Sequence, residues 1–131
     1  MARLTLEGWR LLMDGRALGT FGAPYYYNSG FTYYDFAAAP AFAEVAPIFD
    51  RVGQTWRDYW RSDEDESDRL FELGEAADRK RAALPLRLES TDGAVTLADA
   101  AIYIDTGDAP PTARIKLGKG AYDALRAAGL L

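Results

Sequence analysis

The chain has 131 residues, 49% hydrophobic and 27% charged, the composition of a folded domain rather than of a disordered or fibrous chain. Fifteen Lys and Arg against twenty Asp and Glu leave a net charge of −5, which opposes binding to nucleic-acid phosphates or anionic lipid surfaces. There is no cysteine and no histidine, which removes disulfides, thiolate and imidazole nucleophiles and most transition-metal sites together.

The N-terminal MARLTLEGWRLL lacks the basic region, continuous apolar run and small-residue cleavage site of a signal peptide, and no apolar run approaches the ~20 residues that span a bilayer. A cytoplasmic location is the expectation, with no membrane partner. Leu4 and Leu6 alternate with Thr5 and Glu7, whereas Trp9, Leu11 and Met13 carry the opposite parity, so a strand with a bulge at Gly8 is predicted. Asp14-Gly15 fits a two-residue hairpin turn, and Leu18, Thr20 and Phe21 continue the returning strand.

Pro24 to Phe36, PYYYNSGFTYYDF, packs seven aromatic residues into thirteen positions. With the chain turning at Asn28-Ser29-Gly30, strand alternation sends Tyr25 and Tyr27 one way and Tyr26 the other, and separates Phe31 and Tyr33 from Thr32, Tyr34 and Phe36. Both faces are then aromatic, although a half-exposed sheet needs only one apolar face. Either the hairpin is buried on both sides, or one face meets a partner. Tyrosine suits contact surfaces because it offers large area with few rotamers to freeze and a hydroxyl for hydrogen bonding.

From Pro40 to Trp60 the period changes: Phe42, Val45, Ile48, Phe49, Val52, Trp56, Tyr59 and Trp60 fall within an arc of about 120° on a helix. Pro47 kinks this helix, or divides it into a short helix running into a longer one. A second helix is predicted over about Ser67 to Ala83, with Leu70, Leu73, Ala77 and Leu84 on one face. Strands follow at Leu86 to Ser90, Ala94 to Leu97, Ala101 to Ile104 and Ala113 to Leu117, then a closing helix from Gly120 to Ala128. The fold class is α+β, one domain over residues 1–131, ordered β-β-β-β-α-α-β-β-β-β-α.

Several stretches invite specific chemistry. The acidic run Asp63, Glu64, Asp65, Glu66 fails as a calcium loop, since the glycine and glutamate required at positions six and twelve are Asp68 and Gly74. Ser62 or Ser67 capping a helix, with acids at its start and Arg79-Lys80-Arg81 at its end, accounts for the run; a charged docking surface is the alternative. Ile104-Asp105-Thr106-Gly107 resembles the strand-end signature of aspartic proteases, which implies a catalytic Asp105 sharing a proton with a second aspartate. In that family the signature lies early and a small residue follows it, whereas here Asp108 follows with the chain nearly ended, so a polar hairpin loop is the expectation. Gly118-Lys119-Gly120 enters a helix without Walker spacing. The carboxylate pairs Asp105 with Asp108 and Asp92 with Asp99 carry no geometry from sequence alone.

No catalytic residue, metal site or cofactor is assigned. The expected function is a non-catalytic protein-binding domain, a small acidic inhibitor or immunity-type protein that neutralises a more basic partner through Tyr25, Tyr26, Tyr27, Tyr33 and Tyr34, with Asp63 to Glu66 as a charged docking surface. The alternative is a small-molecule or sugar-binding domain, or an enzyme using Tyr and Asp/Glu, with an aromatic stacking wall. A homo-oligomer fits the same inventory.

Overall fold

Strands occupy both ends of the described chain, residues 4–107 and 109–131 of the computed structural model, and two long helices lie between them. In order the elements are β1 (Arg10–Met13), β2 (Arg16–Asn28), β3 (Phe31–Ala38), a 3-10 helix (Pro40–Glu44), α1 (Ala46–Arg61), α2 (Glu64–Ala82), β4 (Leu86–Glu89), β5 (Thr96–Leu97), β6 (Ala100–Asp105), β7 (Thr112–Leu117) and α3 (Lys119–Ala127). The fold is α+β, with all strands in one antiparallel sheet.

The expected first strand, Leu4 to Glu7, is absent. Leu6 and Trp9 are both buried, but the Trp9 N–H donates to the Leu6 carbonyl at 2.9 Å and Gly8 sits at φ 83°, so a turn reverses the apolar parity where a bulge was expected. Asp14-Gly15 and Ser29-Gly30 are two-residue hairpin turns, all four residues lying between φ 52° and 85° as a primed turn requires. The break near Pro47 takes the two-piece form: the 3-10 helix ends at Glu44, and Pro47 sits in the first turn of α1, where its missing N–H costs nothing.

The strand order is β5-β4-β1-β2-β3-β7-β6, so β5 and β6 are the two edges. Seven strands laid flat would hold these edges about 29 Å apart. Only Ala98 and Asp99 separate them in the chain, a reach of about 10 Å, so the sheet curls until its edges approach, as a partly closed barrel. The concave face holds the core, to which Leu11, Leu18, Phe21, Phe36, Leu88 and Ile115 contribute buried side chains. Ring contacts run from Tyr34 through Phe21, Phe36 and Phe42 to Phe49, each step 5.5–5.8 Å between centroids, and tie the hairpin to the 3-10 helix and α1. Ala121 and Leu125 of α3 bury into the same core.

α1 and α2 form an antiparallel pair beside β6. Gly74 permits the close approach, since a Cβ there would lie 2.8 Å from Trp56 Cζ2. The buried face of α2 is Gly74, Ala77 and Arg81; Leu73 is exposed, contrary to the expected stripe. α2 also starts earlier than expected, at Glu64. Ser62 instead closes α1, its hydroxyl donating to the Tyr59 carbonyl, while Asp63 caps α2 by accepting from the N–H groups of Asp65 and Glu66 at 3.1 and 3.2 Å. Arg81, 9% exposed, fastens α2 to the sheet edge: its guanidinium donates to the Ile102 carbonyl and the Tyr103 hydroxyl at 3.1 and 3.2 Å, and to Asp78 at 3.4 Å. No helix among the described residues is long and apolar enough to cross a membrane.

Candidate functional site

The aromatic hairpin is core on its concave side and open on its convex side. Tyr34 is 3% exposed, and its hydroxyl accepts the Leu6 N–H at 3.2 Å. Tyr25, Tyr26 and Tyr27 are 54–55% exposed, all three alike. Strict alternation fails there because the pairing register of β2 slips between Phe21 and Pro24 and again between Pro24 and Tyr26. Irregular pairing re-aims side chains, and Tyr25 and Tyr26 both reach Tyr33 edge-on, at 6.2 and 5.1 Å.

From Tyr33 a cross-strand row continues over the convex face. Tyr33 pairs with Arg114 on β7, and Arg114 pairs with Tyr103 on β6. The guanidinium of Arg114 lies 4.3 Å from the Tyr103 ring centre and 5.5 Å from that of Phe31, while Arg81 stacks on Tyr103 at 3.9 Å. Flat cations on ring faces are held by the ring quadrupole as well as by packing, which fixes Arg114 in place.

α1 runs alongside this row and forms the other wall of a trough. At one end lies a cavity of about 290 Å³, bounded by Tyr25 and Tyr33 from the hairpin, Asp50 and Arg57 from α1, and Asp105 and Arg114 from the sheet. The trough continues as a shallower depression toward Trp56, Tyr59, Trp60 and Phe71, with Arg57, Tyr103, Asp105 and Arg114 common to both parts. Trp60 is 78% exposed at the end of the α1 stripe, where the apolar face has run beyond the core. Tyr59 packs against both Trp60 and Phe71, at 5.1 and 5.6 Å.

The charges in the trough are unevenly engaged. Thr106 donates its hydroxyl to Asp50, and the Gly107 N–H donates to Asp105 at 2.9 Å. Among the described residues Arg57 donates only to neutral Gln54, at 3.2 Å, and neither Arg57 nor Arg114 belongs to an ion pair. Arg10, by contrast, is bound to Glu89 on the adjacent strand, away from the trough.

The residues singled out in the sequence are therefore distributed. Tyr25 and Tyr33 line the cavity, Tyr26 extends its rim through Tyr33, and Tyr27 lies with Tyr26 at a second opening of about 540 Å³, the barrel mouth near Tyr122. Tyr34 belongs to the core. Asp63, Glu64, Asp65 and Glu66 are exposed at the cap and first turn of α2, two residues beyond the end of α1, which carries Trp60. Asp105 shares its cavity with Asp50, a pairing the sequence did not suggest, while its proposed partner Asp108 lies outside the described residues. Asp92 and Asp99 serve separate turns: Asp92 accepts from Ser90 and Ala94, and Asp99 accepts the Gly120 N–H at 2.8 Å. That last bond places a carboxylate where a phosphate would sit at the start of α3.

Asp50, Arg57, Tyr103 and Arg114 were missed. For Arg114 the signal existed, since in Ala113-Arg114-Ile115 it alternates with buried residues and must face outward. Its juxtaposition with Tyr33 and Arg57 depends on strand order and helix docking. No protein family, no curated protein and no solved structure matches this chain.

Proposed function

We propose that this chain is a non-catalytic protein-binding domain whose recognition face is the trough on the convex side of the sheet. The observation that carries this reading is the continuity of the face. Two aromatic groups more than twenty residues apart in sequence, Tyr25 with Tyr33 and Trp60 with Phe71, stand at opposite ends of one depression floored by Tyr103 and Arg114. Large exposed rings gathered around fixed arginines have the composition of an interface centre. The acids Asp63 to Glu66 form a polar rim beside the Trp60 end, complementary to a more basic partner, and in the net-acidic chain they speed encounter with it. A small acidic inhibitor or immunity-type protein has this design.

Replacing Tyr25, Tyr26 and Trp60 together with serine tests it. Capture of the native-host partner should be lost while the melting temperature stays within about 3 °C of wild type, because exposed side chains away from core packing contribute little to stability. Unchanged capture, or a large fall in melting temperature, refutes the assignment of these rings to an interface.

A second reading, small-molecule or sugar binding, draws on the cavity itself. About 290 Å³ approaches the lower end of ligand pockets, and three tyrosines, two aspartates and two arginines converge there.

A further inference from the structure

We infer that the cavity between α1 and β7 holds a single carboxylate carried on or next to a flat ring, such as a peptide C-terminus ending in an aromatic residue. This inference rests on the trough being the recognition face and specifies what its deeper end accepts.

Arg57 and Arg114 approach the cavity from different elements, and neither has a carboxylate partner among the described residues, in a chain where acids outnumber bases twenty to fifteen. The two aspartates that share the cavity accept hydrogen bonds from Thr106 and Gly107 at its edge. Among the described residues neither guanidinium is hydrogen-bonded to a carboxylate, and a guanidinium fork matches the two oxygens of a carboxylate.

Valence follows from the same groups. Among the described lining residues Asp50 and Asp105 balance Arg57 and Arg114 in number. One added negative charge meets two nearby cations; a second meets the carboxylates with no surplus positive charge to offset them. A monoanion is therefore preferred to a phosphate dianion, and a nucleic-acid backbone is disfavoured. Shape supplies the ring. Tyr25 and Tyr33 stand edge-on to each other on one side, and Arg114 is already immobilised by Tyr103 and Phe31, so a ring entering beside the carboxylate gains aromatic contact without ordering the walls.

The experiment is an amide-resolved NMR titration of the intact chain with N-acetylphenylalanine, its carboxamide, phenyl phosphate, and a hexapeptide ending in phenylalanine as free acid or amide. The free acids should shift the amides of Gly53, Thr106 and Arg114, and should bind about tenfold more tightly than their amides. The Arg57→Gln change, on an exposed helix position, should abolish that preference, with Arg57→Lys retaining part of it; Arg114→Gln should do the same if it folds. A hexapeptide acid tighter than N-acetylphenylalanine identifies a peptide terminus as the source, and equal affinity a small aromatic carboxylate. Equal binding of acid and amide, tighter binding of phenyl phosphate, shifts confined to the barrel mouth around Tyr122, or a preference that survives Arg57→Gln overturns the inference. Loss of partner capture in the Tyr25, Tyr26, Trp60 variant alongside any of those results leaves the recognition face standing and removes only the carboxylate. Carboxylate binding at Arg57 with capture intact does the reverse.

Discussion

Asp92 shows how a single polar residue in a turn ties stability to pH. Its carboxylate accepts the Ala94 N–H at 3.0 Å and the Ser90 hydroxyl at 2.7 Å, and these bonds, the first the larger influence, hold its pKa below the ordinary aspartate value of 3.8. A carboxylate whose folded pKa is depressed contributes stability that is fully present above its unfolded pKa and is lost as pH falls through the folded one. The difference in urea midpoint between wild type and Asp92→Asn should therefore be constant from neutral pH down to about pH 5 and should shrink below about pH 4. A gap that widens on acidification contradicts the assignment. Tyr34 and Tyr26 make the complementary point about one residue type. One is buried with its hydroxyl on the Leu6 N–H, on β3 between β2 and β7; the other is half exposed beside Tyr33, on β2 past the register slips.

At the scale of elements, the acidic run has a structural task whatever else it does. Asp63 satisfies two of the N–H groups that the start of α2 leaves without helical partners, and Glu64, Asp65 and Glu66 face the positive end of the helix dipole while Arg79, Lys80 and Arg81 face the other. Asp63→Ala should cost about 1 kcal/mol in urea denaturation, whereas Glu64→Gln should cost a few tenths, roughly 0.3 kcal/mol. If Asp63→Ala leaves stability unchanged, the cap is not formed in solution. The helices and hairpins were legible because their signals are local: the 3.6-residue stripe of α1, the Asp-Gly and Ser-Gly turns, and the charge gradient of α2 each involve residues within a few positions of one another. The errors were local ambiguities of the same kind. A parity change looks alike whether a bulge or a turn makes it, and the cap expected of Ser62 or Ser67 is made by Asp63 between them.

The whole molecule is a curled sheet with a helical pair at one edge, and Arg81 is the joint between them. Its guanidinium reaches the Ile102 carbonyl on the exposed side of β6, so it blocks an edge that would otherwise offer free backbone groups to another strand. It also stacks on Tyr103, the floor of the trough. Arg81→Ala should destabilise the chain by on the order of 3 kcal/mol, because Asp78 and the Ile102 carbonyl both lose a charged donor in a largely buried site. Calorimetry should register this as a fall in melting temperature of roughly 10 °C. A negligible change would mean that the helical pair is held by apolar packing around Trp56 and Gly74 alone.

The sequence by itself determined the class of fold, the hairpin turns, the apolar stripe of α1 and the surplus of aromatic residues over what one sheet face needs. Turn dihedrals, helical period and the absence of cysteine and histidine depend on neighbouring residues or on composition, so they are present before the chain folds. Only the tertiary structure decided that β1 pairs with β4 and β3 with β7, that the sheet curls, and that α1 docks beside β6. These choices bring Tyr33, Arg57, Tyr103 and Arg114 together from four elements. They follow from which arrangement buries the most apolar surface while pairing the backbone, a property of the whole chain that no short window of residues contains.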